Sequence, residues 1–504
     1  MMKQKLESVM TFSRNIPARY VIIFVATMAN TLEYALRDNM SISMVAMTGY
    51  THKSDGNSTE LSLNVTKNQR IQESLDHTNN TFDWSPRTQG MILGSFYYGY
   101  IISHLLGGQV CSWLGPRIAV TISIFFSGLF TLVIPMAAFY GPTCMSVIRA
   151  LLGTSQGLLT PSLYGLFSKW IPSQERSISL ALLVVGGNLG SLTTMIVSGY
   201  LCEHGFAGGW PSVFYVHTVV AAICLVIWIF YIRNDPCEYS SISNQELKHI
   251  VENLGSSTEQ DRKKSKIPWK GILRSPAIWS IGIAKFAGKW GFITWETQLP
   301  TYLARALHMN MKENSIINAL RYMSMSISLL FAGYLSDRID KRQLLSKTLS
   351  RKIFESIALV GPAIMTLIIP FTGGHIPLII SALMISMILY GFCAGGDNPM
   401  VVDISPRNSG AIYGFTAGLS SFPGPLAPYF VGYVLELGNG DPQMWDYVFY
   451  SCSGFYLIGA VFFLIFGTSE EQDFTDGISL CTKSDSVETK DIGSKGVENG
   501  LPMR

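Results

Sequence analysis

Apolar runs of about twenty residues, repeated twelve times with polar gaps between them, constrain this chain more than any other feature. A helix of that length spans the hydrocarbon core of a bilayer, and a helix satisfies its own backbone hydrogen bonds where no water is present. The runs fall at 18–48, 88–112, 116–139, 143–170, 176–202, 211–233, 276–304, 314–337, 352–372, 376–400, 407–436 and 445–468. Charge is scarce as well: Asp, Glu, Lys and Arg make up 14% of the chain, against ~25% in soluble domains. The few charges crowd into the gaps, and the net charge of +3 points to no nucleic-acid partner. These features predict an all-α, multi-pass membrane protein whose main partner is the lipid bilayer.

Sidedness follows from two independent signals. The gap 49–87 carries the N-glycosylation acceptors Asn57, Asn64 and Asn79, each followed two positions on by Thr or Ser. Glycosylation there requires a lumenal or extracellular face. Of the 37 Lys and Arg residues, 26 fall on the opposite side, six on the acceptor side and five inside runs. Basic residues collect on the cytosolic side. Both termini, 1–17 and 469–504, are therefore expected in the cytosol, the latter as a disordered tail. The first run is too long for the apolar region of a cleavable signal peptide. The eight cysteines are scattered without metal-ligand or disulfide spacing, so no metal site is expected.

The polar stretch 235–275, with the basic run Arg262-Lys263-Lys264-Ser265-Lys266, divides the chain into bundles 18–234 and 276–468. It is expected to be a solvated cytosolic linker. A repeat relates the halves. Gly333-Tyr-Leu-Ser-Asp337-Arg338-Ile-Asp340-Lys341-Arg342 follows the eighth run, and Gly108-Gln-Val-Cys-Ser112-Trp113-Leu-Gly115-Pro116-Arg117 follows the second. A Gly permits close helix approach, and the basic cluster holds the loop in the cytosol. The second copy resembles the loop signature of the major facilitator superfamily, with Asp340 in place of a Gly. The first copy has lost the Asp and the basic residue after it. That resemblance implies two pseudo-symmetric six-helix bundles around a central site exposed alternately to either side.

Ionisable residues at membrane depth are costly, about 2.5–3.5 kcal/mol on insertion scales, and so mark candidate function. Glu33, Tyr34, Arg37 and Asp38 share one broad face of the first run. Arg37 is neutralised by Glu33 or Asp38, or else receives a substrate anion. In the second run Leu93, Tyr97, Tyr100 and His104 form a stripe that either packs or lines a cavity. In the fourth, Arg149 and Gln156 share a face, with Tyr164 beyond them; Arg149 alternatively snorkels to the interface. In the seventh, Lys285, Lys289 and Glu296 share a face. Lys289 reaches Glu296 only through another helix or the substrate, and Lys285 sits where it can snorkel. Arg321 has no evident partner. Convergent cations argue for an anionic substrate, because the guanidinium fork matches carboxylate and phosphate.

Several segments resemble one anion transporter family, that of sialin, the vesicular glutamate transporters, the vesicular nucleotide transporter and the type I sodium–phosphate cotransporters. They are Tyr34-Ala-Leu-Arg37-Asp-Asn-Met-Ser, Gly94-Ser-Phe-Tyr-Tyr-Gly-Tyr100, Arg149-Ala-Leu-Leu-Gly-Thr-Ser-Gln156-Gly, Leu299-Pro300-Thr-Tyr302 and Asp403-Ile-Ser-Pro406-Arg407. The resemblance implies that Arg37, with Tyr34 beside it, receives the anion and that Arg149 is the family's fourth-helix arginine. It implies that Gln156 stands where sialin and the glutamate transporters carry a proton-coupling glutamate, as in the phosphate cotransporter branch. Tyr164 and Leu93 replace family histidines, and Lys289 lies one position beyond the glutamate branch's seventh-helix arginine. The expectation is a monomeric secondary transporter of phosphate, urate, sialate or other carboxylates, in the plasma membrane or an endolysosomal or vesicular membrane. Tyr97 and Tyr100 would line its site, and Glu33, Gln156, Tyr164 and Glu296 would couple or gate it. Na+, H+ or membrane potential would drive it, with no cofactor. The rival is a non-transporting sensor or scaffold on the same fold. No nucleophile–base pair or phosphate-binding loop supports an enzyme.

Overall fold

The computed structural model describes residues 17–49, 81–172, 175–239, 242–253, 268–405, 409–438 and 441–472. Asn57, Asn64, Asn79, the run 262–266, Arg407 and nearly all of both terminal segments lie outside the described residues.

Helices follow the apolar runs in order. The first half contains α1 (Ala18–Met47), α2 (Pro86–Leu114), α3 (Pro116–Tyr140), α4 (Pro142–Gln156), α5 (Leu159–Trp170), α6 (Arg176–His204) and α7 (Trp210–Tyr231). Between the halves lie α8 (Asn244–Asn253) and α9 (Trp269–Arg274). The second half contains α10 (Pro276–Arg305), α11 (Met311–Lys341), α12 (Lys347–Ile368), α13 (Ile376–Tyr390), α14 (Asp397–Ile404), α15 (Ser409–Leu419), α16 (Pro423–Leu437) and α17 (Met444–Phe466). Proline in the first turn opens α2, α3, α4, α7, α10, α13 and α16. There its missing N–H costs nothing, because first-turn donors have no helical partner.

Three runs expected to be continuous are interrupted. The run 143–170 breaks after Gln156 into α4 and α5, and 376–400 passes through a 3-10 turn, Gly391–Gly395. The run 407–436 breaks before Pro423. Glycine and proline at the breaks remove the side-chain contacts or the backbone donor that a continuous helix needs.

Burial separates inner from outer helices. In α1, 19 of 30 residues are buried, and in α10, 23 of 30. By contrast α3, α7 and α17 expose apolar side chains such as Met136, Phe230 and Ile465, as lipid contact requires. Seven helical stretches are long and apolar enough to cross a membrane by themselves. The charged α1 and α10 are not among them; Glu33, Asp38 and Glu296 on them are buried.

The two halves meet through α2 on α16, α6 on α11 and α1 on α10. These crossings cluster on the side where residues 49–81 join α1 to α2, here the loop side. At α2 and α16 the backbones touch: a Cβ on Gly90 would run into the Pro428 carbonyl, and one on Gly432 into that of Pro86. Arg305 also donates to Thr48 Oγ1 at 2.8 Å across the halves. Toward the opposite, linker side, Tyr164 and Tyr413 are exposed, at 42% and 47%.

The linker is not uniformly solvated. The Glu246 carboxylate on α8 accepts the backbone N–H of Ala18 at 2.9 Å and of Arg19 at 3.0 Å, and Ile250 is buried. An acceptor at a helix N-terminus satisfies donors that have no partner in the helix. In the second loop signature, Asp340 bonds Arg351 Nη2 at 2.7 Å, while Arg351 Nε reaches Asp403 at 2.9 Å. The Gly-to-Asp departure thus supplies a counter-ion for a buried arginine.

Candidate functional site

Charged residues from both halves converge where α1 crosses α10. Arg37 is near the middle of α1, and its Nε donates to Asp38 Oδ1 at 3.0 Å. Its Nη2 donates to Glu296 Oε1 on α10 at 2.7 Å. Tyr97 of α2 donates its hydroxyl to the other Glu296 oxygen, also at 2.7 Å. Asp38 Oδ2 accepts from the hydroxyls of Ser191 on α6 and Tyr322 on α11, the latter at 3.2 Å. The Tyr34 ring lies 4.3 Å from the guanidinium carbon. One guanidinium therefore carries two carboxylates, one from each half.

Glu33, a proposed neutraliser of Arg37, does not pair with it. Its Oε2 is buried without a hydrogen-bond partner among the described residues, because the Arg37 head is drawn across to α10. Arg149 does not snorkel. It is 2% exposed, lies 5.2 Å from the Phe96 ring, and its Nη1 approaches the Arg37 carbonyl at 3.5 Å, the limit of a hydrogen bond. Among the described residues its Nε has no partner, and neither does either amide atom of Gln156 two turns along. Tyr100 stacks between Phe96 and His104 rather than joining the ion network. Tyr164 stands toward the linker side, near Tyr413 and Tyr34.

The seventh-run lysines separate. Lys285 does not snorkel: its ammonium is 3.4 Å from Asp397 Oδ2 and donates to Asn398 at 2.7 Å. Lys289 makes no ion pair among the described residues, since Arg37 and Tyr97 occupy both Glu296 oxygens; its Nζ sits 4.8 Å from the Phe292 ring. Sequence reasoning missed Ser191, Tyr322 and Asp397. Tyr322 adjoins Arg321, a charge inside an apolar run, and that adjacency was the available signal. Ser191 had none.

Arg37, Asp38, Tyr97, Arg149 and Glu296 enclose a cavity of only about 10 Å³, roughly what one water needs. The cluster leaves little room for a larger anion, and one that engaged Arg37 through Nε or Nη2 would displace a carboxylate. A carboxylate or phosphate has the same acceptor geometry as Glu296, so such an exchange would conserve charge-assisted hydrogen bonds. No group of three or more His, Cys, Asp or Glu with metal-binding geometry occurs among the described residues.

Residues 23–350 match the Major Facilitator Superfamily profile. Sialin from Ovis aries is 31% identical over 457 residues, covering 91% of this chain and 90% of sialin. Vesicular glutamate transporter 3 from Danio rerio is 28% identical, covering 92% of this chain and 75% of that protein. A bacterial homologue of the human lysosomal transporter Spinster, solved in an inward-facing and unoccupied conformation, shares the fold with a TM-score of 0.68. Its sequence identity is 12%, over 90% of this chain and 99% of that one.

Proposed function

Because the chain belongs to the major facilitator superfamily, and within it to the anion transporter family of sialin and its relatives, we propose that it is a secondary active transporter of small organic or inorganic anions. The observation that carries this reading is the double neutralisation of Arg37 by Asp38 and Glu296. An arginine held only by protein carboxylates from two halves is poised to exchange one of them for a substrate anion. Exchange at Arg37 also loosens the tie between α1 and α10, which links anion binding to the relative motion of the halves, as alternating access requires.

Arg37 is the principal anion-receiving residue in this proposal, with Tyr34, Tyr97, Arg149 and Lys289 around it. Tyr100 supports the wall through Phe96. Glu33, Gln156, Tyr164 and Glu296 act in coupling or gating. Gln156 cannot release a proton, so coupling to H+ through that position is absent, leaving Na+, membrane potential or another proton site as the drive. The transporter is proposed to act as a monomer, its own two halves forming the site.

The test is uptake of radiolabelled anions into liposomes containing the purified protein, with Na+, H+ and voltage gradients imposed one at a time. Accumulation driven by one gradient, and lost in Arg37→Ala at normal insertion, supports the reading. Full uptake by Arg37→Ala removes Arg37 from the site. Absence of uptake of any anion favours a sensor or scaffold instead.

A further inference from the structure

Arg321 lies in the second half, on α11, and the network around Arg37 makes no use of it. It is 1% exposed, and its Nε and Nη2 have no hydrogen-bond partner among the described residues. Its Nη1 faces only the Met387 sulfur, at 3.9 Å, and a thioether is a weak acceptor. The guanidinium carbon sits 4.2 Å from the Tyr322 ring and 5.9 Å from the Phe292 ring. Lys289 approaches the same Phe292 ring at 4.8 Å and also lacks an ion pair among the described residues. Two cations without counter-ions among the described residues thus gather around one aromatic ring at membrane depth. Ring faces offset part of the cost of burying such charges, but they leave the N–H donors unmet.

Position gives these cations a use. The Tyr322 ring carries Arg321 on its face, while its hydroxyl donates to Asp38, the partner of Arg37. One tyrosine therefore stands between Arg321 and the Asp38 partner of Arg37. We propose that Arg321, with Lys289, receives a second anionic group of the transported molecule, so that the preferred substrate is an organic dianion whose charges stand roughly one aromatic ring apart. The proposal rests on the transporter reading and narrows its substrate class. One anionic group would replace Glu296 on Arg37, and the other would meet the free donors of Arg321. A compact anion such as inorganic phosphate cannot satisfy both positions at once.

The experiment measures ligand stabilisation of the purified full chain in detergent, where a ligand raises the melting temperature according to its affinity. Glutarate, butyrate and inorganic phosphate serve as probes, with uptake of the same three into liposomes run in parallel. Wild type should prefer glutarate over butyrate and phosphate by about 10-fold or more in apparent affinity. Arg321→Met should reduce that preference to about twofold, with butyrate unchanged, and Arg321→Lys should keep an intermediate preference. If Arg321→Met does not fold, Lys289→Met carries the test, with a partial loss expected. Equal stabilisation by glutarate and butyrate in wild type overturns the proposal, as does a preference that survives both methionine variants. Uptake of butyrate or phosphate without a dianion preference overturns it while the transporter reading stands; uptake of none of the three, with no stabilisation, overturns it as well.

Discussion

Arg37 on α1 and Glu296 on α10 are joined at 2.7 Å, an ion pair formed between the two halves of the molecule and nearly shielded from solvent. Removing one partner of a buried pair costs about 3–5 kcal/mol, because the other charge is left desolvated and alone. Here neither charge depends on one partner. Arg37 keeps Asp38, and Glu296 keeps the Tyr97 hydroxyl. The pair can therefore open without leaving a bare charge on either side, as a site that exchanges partners must.

Glu296→Gln should weaken the competitor that a substrate anion displaces. The amide oxygen can still accept from Arg37 while its NH2 donates to the Tyr97 hydroxyl, so the fold is retained, while the charge is lost. The expected result is a severalfold lower KM with a reduced maximal rate, since the closed state loses its tightest tie. A concentration series of uptake reads both. A raised KM would place Glu296 among the groups that help the anion bind.

Tyr97→Phe and Tyr100→Phe separate the two tyrosines of α2. Tyr97 donates to a buried carboxylate, a bond to a charged group contributing about 1.5–3 kcal/mol. Tyr100 is held by stacking on Phe96 and His104, which phenylalanine reproduces, and its hydroxyl meets Thr160 rather than a charged group. Tyr97→Phe should change uptake kinetics about tenfold, and Tyr100→Phe should stay near wild type. Equal effects would show that Tyr100 contributes a polar contact in another state of the cycle.

Gln156→Glu places a carboxyl where the amide now has two unpartnered atoms. The site has room for a polar group and an arginine, Arg149, two turns away on the same helix face. Uptake in this variant should gain a dependence on external pH that wild type lacks at that position. Uptake across pH 5.5 to 8 with the voltage clamped measures it, and identical profiles for both proteins would count against the position as a coupling point.

The fold was largely legible because membrane insertion imposes a strong rule, long apolar runs with charges excluded. Arg37, Tyr97, Arg149 and Glu296 were legible for the same reason, as polar exceptions that such a run must justify. The pairing was not. Glu33 lies one turn from Arg37 on the same helix, yet the bond goes to Glu296, 259 positions along the chain. Which partner wins is decided by how α1 and α10 cross, and that depends on the close approach of α2 and α16 and of α6 and α11. Ser191 was invisible because serine in a membrane helix ordinarily bonds its own backbone. The broken runs hid for a related reason: hydropathy sums over a window and does not register a single Gly or Pro that stops the helix.

Gly90→Leu tests whether the α2–α16 contact is the seal on the loop side. Gly90 packs directly on the Pro428 carbonyl, and no side chain fits between them without separating the helices. A leucine is compatible with α2 itself and with lipid, so the chain should still insert and fold. The halves should then part on the loop side, exposing the cavity beneath. Ser41, 4% exposed and part of that cavity, provides the reporter as Ser41→Cys. Its reaction with a membrane-impermeant thiol reagent should be slow alone and at least about tenfold faster with Gly90→Leu, after subtracting labelling of the native cysteines. Uptake should fall in parallel, because the cycle needs the closed state. Unchanged labelling with normal uptake would show that the seal lies elsewhere, at the α6–α11 crossing or the Arg37–Glu296 tie.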